Sequence, residues 1–158
     1  MILKAPADVL TAPCDPIDTD VEGFAEAERI VAALVREADS WEQSGQGGVA
    51  GLAAPQIGVS KRVFILKQRG GWKPYVNPVI LRFSPKETVA VEGCLSIPGM
   101  QYAVKRPISI QAEWYTPGGA GESSSFGVPL ARAFQHEYDH LDGTLISSKG
   151  SAARIRTA

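Results

Sequence analysis

Histidine and cysteine are scarce in this chain, each occurring twice in 158 residues. Two cysteines, Cys14 and Cys94, are too few for the disulfide frameworks that staple small secreted domains. A chain of this length can also build an apolar core without one. Long hydrophobic runs are missing: none approaches the roughly 20 residues that span a bilayer. An excess of either charge is missing too. The formal net charge of −1 argues against broad attraction to nucleic acid or to an anionic membrane. The opening residues, Met1-Ile2-Leu3-Lys4-Ala5-Pro6, lack the basic start and long apolar core of a secretory signal and are not an Arg-rich transit peptide. The expectation is a soluble, cytoplasmic protein folded as a single domain over 1–158.

Because histidine is so rare, its placement carries information. Both histidines fall in Phe134-Gln135-His136-Glu137-Tyr138-Asp139-His140, four residues apart, with a glutamate directly after the first. On a helix such positions lie one above the other, so His136 and His140 can face one metal ion. Glu137 stays close without being forced into the coordination shell. In the His-Glu-x-x-His pattern the metal polarises a water and the carboxylate handles its protons. The segment points to a metal-dependent hydrolase.

Around this motif the chain reads as alternating short elements. Residues 1–20, rich in Pro, Asp and Thr, read as an irregular arm. From Glu22 to Trp41 the residues Phe24, Ala27, Ile30, Val31, Leu34 and Val35 recur at helical spacing, predicting an amphipathic helix. Four glycines between Gln43 and Gly51 end it. Strands are predicted at Arg62 to Leu66, Tyr75 to Phe83, Thr88 to Val91 and Ile108 to Tyr115, with Pro78 marking an edge or a bulge. Gly118 to Ser125 reads as a hairpin loop. A second helix runs from about Val128 to Leu141 and stops at Asp142-Gly143. The polar residues 147–158 read as a frayed tail. The resulting fold class is α+β: short, mainly antiparallel strands packed around a central metal-bearing helix, with an N-terminal amphipathic helix outside.

Two histidines do not complete a catalytic metal site, which usually has three protein ligands and one open position. With no third histidine, the missing ligand is Cys, Asp or Glu. Cys94 stands out in Val91-Glu92-Gly93-Cys94-Leu95-Ser96-Ile97-Pro98-Gly99, after a strand and beside a permissive glycine. A lone cysteine there also serves as buried apolar filler, and the residues alone leave both readings open. A third segment, Gly51-Leu52-Ala53-Ala54-Pro55-Gln56-Ile57-Gly58, has small residues that admit another backbone. Gln56 offers a neutral amide where negative charge would build on a carbonyl oxygen. Taken alone, these small residues also fit simple tight packing.

In order and spacing, Gly51-Leu52-Ala53-Ala54-Pro55-Gln56, Glu92-Gly93-Cys94-Leu95-Ser96 and Gln135-His136-Glu137-Tyr138-Asp139-His140-Leu141 resemble the three signature motifs of peptide deformylases. The resemblance reaches to about Ile146. It implies Cys94, His136 and His140 as metal ligands and Glu137 as general acid/base, with Gln56 and the Leu95 backbone N–H meeting the oxyanion. It implies one divalent ion, Fe2+ natively, with Zn2+, Ni2+ or Co2+ able to occupy the site. The implied reaction removes the formyl group from the initiator methionine of new polypeptides, in protein biosynthesis, and releases formate. The partners are N-formylmethionyl peptides or nascent chains and the ribosome, with no specific nucleic acid and no membrane. The peptide would lie extended along the Gly51 and Gly93 backbone, and Ala133 would help line the methionine pocket.

Two departures stand out. The first motif of the family begins Gly-x-Gly, and here the matching residues are Val49-Ala50-Gly51, which bears on substrate fit but not on the metal ligands. The chain also ends soon after Gly143 without the C-terminal helix of many relatives, as a short form would. Arg106 and Asp139 match family positions, either as a pair that steadies the helix or as separate surface charges. Two other functions compete: a related metal hydrolase with altered N-acyl specificity, and an inactive homologue that binds peptides or the ribosome.

Overall fold

The computed structural model describes residues 1–153. Helix α1 (Val21–Gln43) begins where the Asp20 carboxylate accepts the Gly23 N–H at 2.7 Å, meeting one of the orphan donors of the first turn. It buries Ala27, Ile30, Leu34 and Ala38 against Leu52, Val63, Ile65 and Val76 of the sheet beneath. This is the amphipathic helix that the apolar period predicts.

Among the described residues eight strands follow: β1 (Gly51–Ala53), β2 (Val63–Gln68), β3 (Gly71–Phe83), β4 (Glu87–Cys94), β5 (Ile97–Pro107), β6 (Ser109–Tyr115), β7 (Gly121–Gly127) and β8 (Ser151–Ala153). They form two sheets, a five-stranded one in the order β1-β2-β3-β6-β7 and a three-stranded one in the order β4-β5-β8. Neighbouring strands run antiparallel throughout both sheets. Helix α2 (Leu130–Leu141) lies between the sheets, and the short α3 (Ile146–Lys149) leads into β8. The architecture is α+β with an N-terminal helix, as predicted. Among the described residues no helix is long and apolar enough to cross a membrane.

What fixes the rotation of α2 is an aromatic cluster. The Phe134 ring packs edge-on against Phe64 at 5.0 Å and Tyr75 at 5.1 Å, and stacks on Phe126 at 5.4 Å. Ala131 and Leu141 share that buried stripe. With one face pinned to the five-stranded sheet, His136 and His140 are turned toward Glu92 and Cys94 of the three-stranded one, and Glu137 toward Gly51 at the edge strand β1.

Three features of the chain differ from the pattern read in the sequence, and a fourth decides between two readings left open. Strand β5 escapes it because Pro98-Gly99 punctuates its start; the strand continues through this pair, with Gly99 at φ +76°. The expected hairpin loop at Gly118 to Ser125 is mostly strand β7: the connection tightens to Thr116–Ala120, where Thr116 N–H donates to the Ala120 carbonyl at 2.7 Å. Residues 147–153, expected as part of a frayed tail, form most of α3 and strand β8, which pairs with β5 through Gln101, Tyr102 and Ala103. The remainder of that expected tail lies outside the described residues. Finally, β3 is an interior strand, so Pro78 marks a bulge and not an edge: its register to β6 shifts between Val76 and Val79.

Asn77 carries that bulge at φ +47°, the left-handed region. Its side chain accepts from Ile17 N–H and donates to the Ile17 carbonyl, both at 2.8 Å, tying the N-terminal arm to the sheet. Asn77→Ala is expected to lose about 2–3 kcal/mol of stability in urea denaturation, from two hydrogen bonds and the left-handed backbone. A loss below about 0.5 kcal/mol would contradict this account of the arm.

Candidate metal centre

His136 and His140 are one turn apart on α2 with ring centroids 5.2 Å apart. Cys94 is the last residue of β4, and its register to β5 shifts between Gly93 and Cys94, where the strand gives way to a tight turn. Such irregularities re-aim a side chain. Here Sγ comes within 3.4 Å of His140 Nε2, and the ligand atoms of Cys94, His136 and His140 all lie within 4.8 Å of one another. Cys14, buried elsewhere, and Cys94 are both free. Cys94 Sγ thus stands among polar side-chain atoms that could share a metal ion.

The surrounding hydrogen bonds test whether the trio fits a cation. His136 Nδ1–H donates to Glu92 Oε2 at 3.0 Å, which leaves Nε2 as the nitrogen that can ligate a cation once it gives up its proton. Burial alone would raise the Glu92 pKa. Its hydrogen bonds with His136, Arg106 and Arg132 outweigh that and hold the carboxyl well below the usual range. Burial opposes charge on His136, yet hydrogen bonds with Cys94 and Glu92 push its pKa up to about 10. Burial and the neighbouring His136 push His140 down to about 3. A cysteine sulfur and two imidazoles, one backed by a carboxylate, form a donor set that suits a divalent transition metal.

Glu137 is buried beside this trio, and its Oε2 has no hydrogen-bond partner. Burial raises its pKa to about 7, so the carboxyl is poised to hold or release a proton near neutrality. Gly51 makes room for it: a Cβ there would fall 2.7 Å from Glu137 Oε1 and 2.8 Å from Cγ.

Gln56 occupies a 3₁₀ turn (Ala54–Ile57) that ends at Gly58 with φ +84°. Its Oε1 accepts from Ala53 N–H at 2.9 Å, fixing which end of the amide points inward. Nε2 then donates to Ser96 Oγ at 3.2 Å and lies 3.8 Å from Cys94 Sγ. Leu95 follows Cys94 in the turn between β4 and β5. Cys94, His136, Glu137 and Gln56 open onto a cleft of about 920 Å³, whose walls include Gly51, Gly93, Leu95, Ala133, Trp41 and Met100, while His140 and Ser96 are buried behind them.

Every site residue read from the sequence meets this cleft or the metal trio. Val49, the departure in the first motif, turns into the core beneath α1, 4% exposed, while its N–H donates to Glu42 Oε1 at 3.0 Å. Arg106 and Asp139, left open as pair or separate charges, are a pair joined at 2.8 Å, with the Arg106 side chain buried and Asp139 partly so. Sequence reasoning missed the parts of Glu92 and Ser96. The one available signal was their place in the segment that carries Cys94.

The polypeptide deformylase family model matches residues 1–154. A peptide deformylase of Thermotoga maritima is 39% identical over 104 residues, covering 66% of this chain and 63% of that one. The alignment thus spans less than two thirds of that relative's length. One from Desulforudis audaxviator is 41% identical over 126 residues, covering 78% and 77%. The crystal structure of peptide deformylase from Thermotoga maritima superposes with a TM-score of 0.79 at 32% identity, covering 96% of this chain and 97% of that one. The chain belongs to the polypeptide deformylase family.

Gly51→Ala is expected to push Glu137 aside and lower kcat by on the order of 10²-fold, because a misplacement near 1 Å has that effect on positioned groups. Metal content by elemental analysis should stay at the parent level. A rate within twofold of the parent would contradict the close approach.

Proposed function

We propose that the protein removes the formyl group from N-formylmethionyl peptides and nascent chains, releasing formate. The observation that carries this reading is the convergence of Cys94, His136 and His140, with ligand atoms within 4.8 Å, beside the buried Glu137. Cys94, His136 and His140 are the ligands in this reading. Fe2+ is the native ion we infer, and Zn2+, Ni2+ or Co2+ are compatible with the same donors. When bound, such an ion supplies Lewis acidity and lowers the pKa of water at the site.

The remaining roles belong to the chain's own groups. Glu137 takes the proton of the attacking water and delivers it to the departing amine, a task its pKa of about 7 suits. The Gln56 amide and the Leu95 N–H face the oxygen on which negative charge grows; losing one such donor typically costs on the order of 10²–10³ in rate. A thiolate ligand gives a cation more charge than imidazole does, which weakens it as a Lewis acid and matches a small, unhindered formyl carbon. Gly51 and Gly93 leave their strand backbones open to an extended peptide, and Ala133 leaves room for the methionine side chain. Formylated chains arise at the ribosome, so this substrate puts the enzyme in a compartment where translation proceeds, which we take to be the cytoplasm.

Formate release from formyl-Met-Ala-Ser, with acetyl-Met-Ala-Ser as competitor, tests the reading. The parent protein should cleave the formyl peptide and leave the acetyl peptide intact. Glu137→Gln should lose roughly 10²–10⁴ in rate while keeping its metal. Absence of formate from the metal-loaded parent, or a parent-like rate from the variant, would contradict it.

A further inference from the structure

Among the described residues that line the cleft, Arg132 is a charged group that the chemistry above leaves without a task. It lies one helical turn before His136 on α2, with its side chain 14% exposed. Its Nη1 donates to Glu92 Oε1 at 2.8 Å and to the Val104 carbonyl at 2.9 Å. Its Nη2 donates to the Thr88 carbonyl at 2.7 Å and to Thr88 Oγ1 at 3.2 Å. One guanidinium therefore laces α2, which carries both histidines, to β4 and β5, the strands that deliver Cys94.

We propose that Arg132 is a positioning residue for the metal centre, locking the Glu92 carboxylate in the orientation that aims His136. Glu92 also receives Arg106, through Nε to Oε1 at 2.6 Å and Nη2 to Oε2 at 3.0 Å. Two guanidinium groups thus converge on Oε1, while Oε2 holds His136 Nδ1–H at 3.0 Å. A carboxylate gripped by one guanidinium can swing with it. A second, anchored on two backbone carbonyls of different strands, removes that freedom. The planar fork is what makes four acceptors reachable at once, and a lysine ammonium cannot reproduce it. Without Arg132, Arg106 still neutralises Glu92, so the expected loss is one of ring orientation and not of fold.

This inference rests on the metal-hydrolase reading, and zinc binding separates the two. The apparent Zn2+ dissociation constant, from chelator competition, is measured for the parent, Arg132→Met, Arg132→Lys, Glu92→Gln and the Met/Gln double variant. Arg132→Met should weaken zinc binding about 10–100-fold, as outer-shell substitutions do. Arg132→Lys should recover only part of it. If Arg132 acts through Glu92, the double variant should bind no more weakly than Glu92→Gln alone. A purely structural role would lower thermal stability but leave the dissociation constant unchanged, or make the two effects add; either result overturns the proposal. Should Arg132→Met fail to fold, Arg132→Lys with Glu92→Gln completes the same cycle. Zinc binding by the parent and Arg132→Met alike overturns this inference only, whereas no binding by the parent overturns it together with the proposed function.

Discussion

A buried guanidinium ties the working parts of this protein together. Arg106, on β5 and 2% exposed, donates to Glu92 on β4 and to Asp139 on α2. Asp139 in turn accepts from Lys149 at 2.9 Å, next to the strand that closes the small sheet. Removing one partner of such a network leaves a charge without compensation inside the protein, which typically costs about 3–5 kcal/mol. The network therefore works less as a source of stability than as a constraint on geometry. It sets β4 against α2 at the spacing that brings a cysteine on a strand end to two histidines on a helix.

The opposite face of α2 supplies the complementary constraint. Phe134, wedged among Phe64, Tyr75 and Phe126, permits little rotation of the helix about its axis. Aromatic packing on one side and ion pairing on the other leave Glu137 in a dry position, where burial raises its pKa. The same dryness demands a glycine at 51, because the carboxylate fills the space a side chain would take. The reactive groups are thus placed by packing from three elements, and their proton affinities follow from that placement.

How much of this was legible beforehand depends on how local each signal is. The histidine pair, Glu137 and both long helices were readable, because a helix writes its spacing into a single segment. The convergence of Cys94 on the histidines is non-local, since 42 residues or more separate them in the chain, and only the three motifs together suggested it. Strand β5 was hidden by Pro98-Gly99. Strand β8 was hidden by its brevity and small residues, which form a strand only because β5 offers a free edge. The roles of Glu92 and Ser96 were illegible for another reason. Each works through a second residue, His136 or Gln56, and nothing in the pattern of a strand announces such a partnership. Val49, the departure from the family motif, packs into the core and also lines the cleft.

X-ray absorption of the zinc-loaded protein tests the central claim most directly, because it counts sulfur and nitrogen neighbours of the ion without reference to activity. One sulfur at about 2.3 Å and two imidazole nitrogens at about 2.0–2.1 Å are the shell predicted for Cys94, His136 and His140. A shell of nitrogen and oxygen alone, with no sulfur, would contradict it.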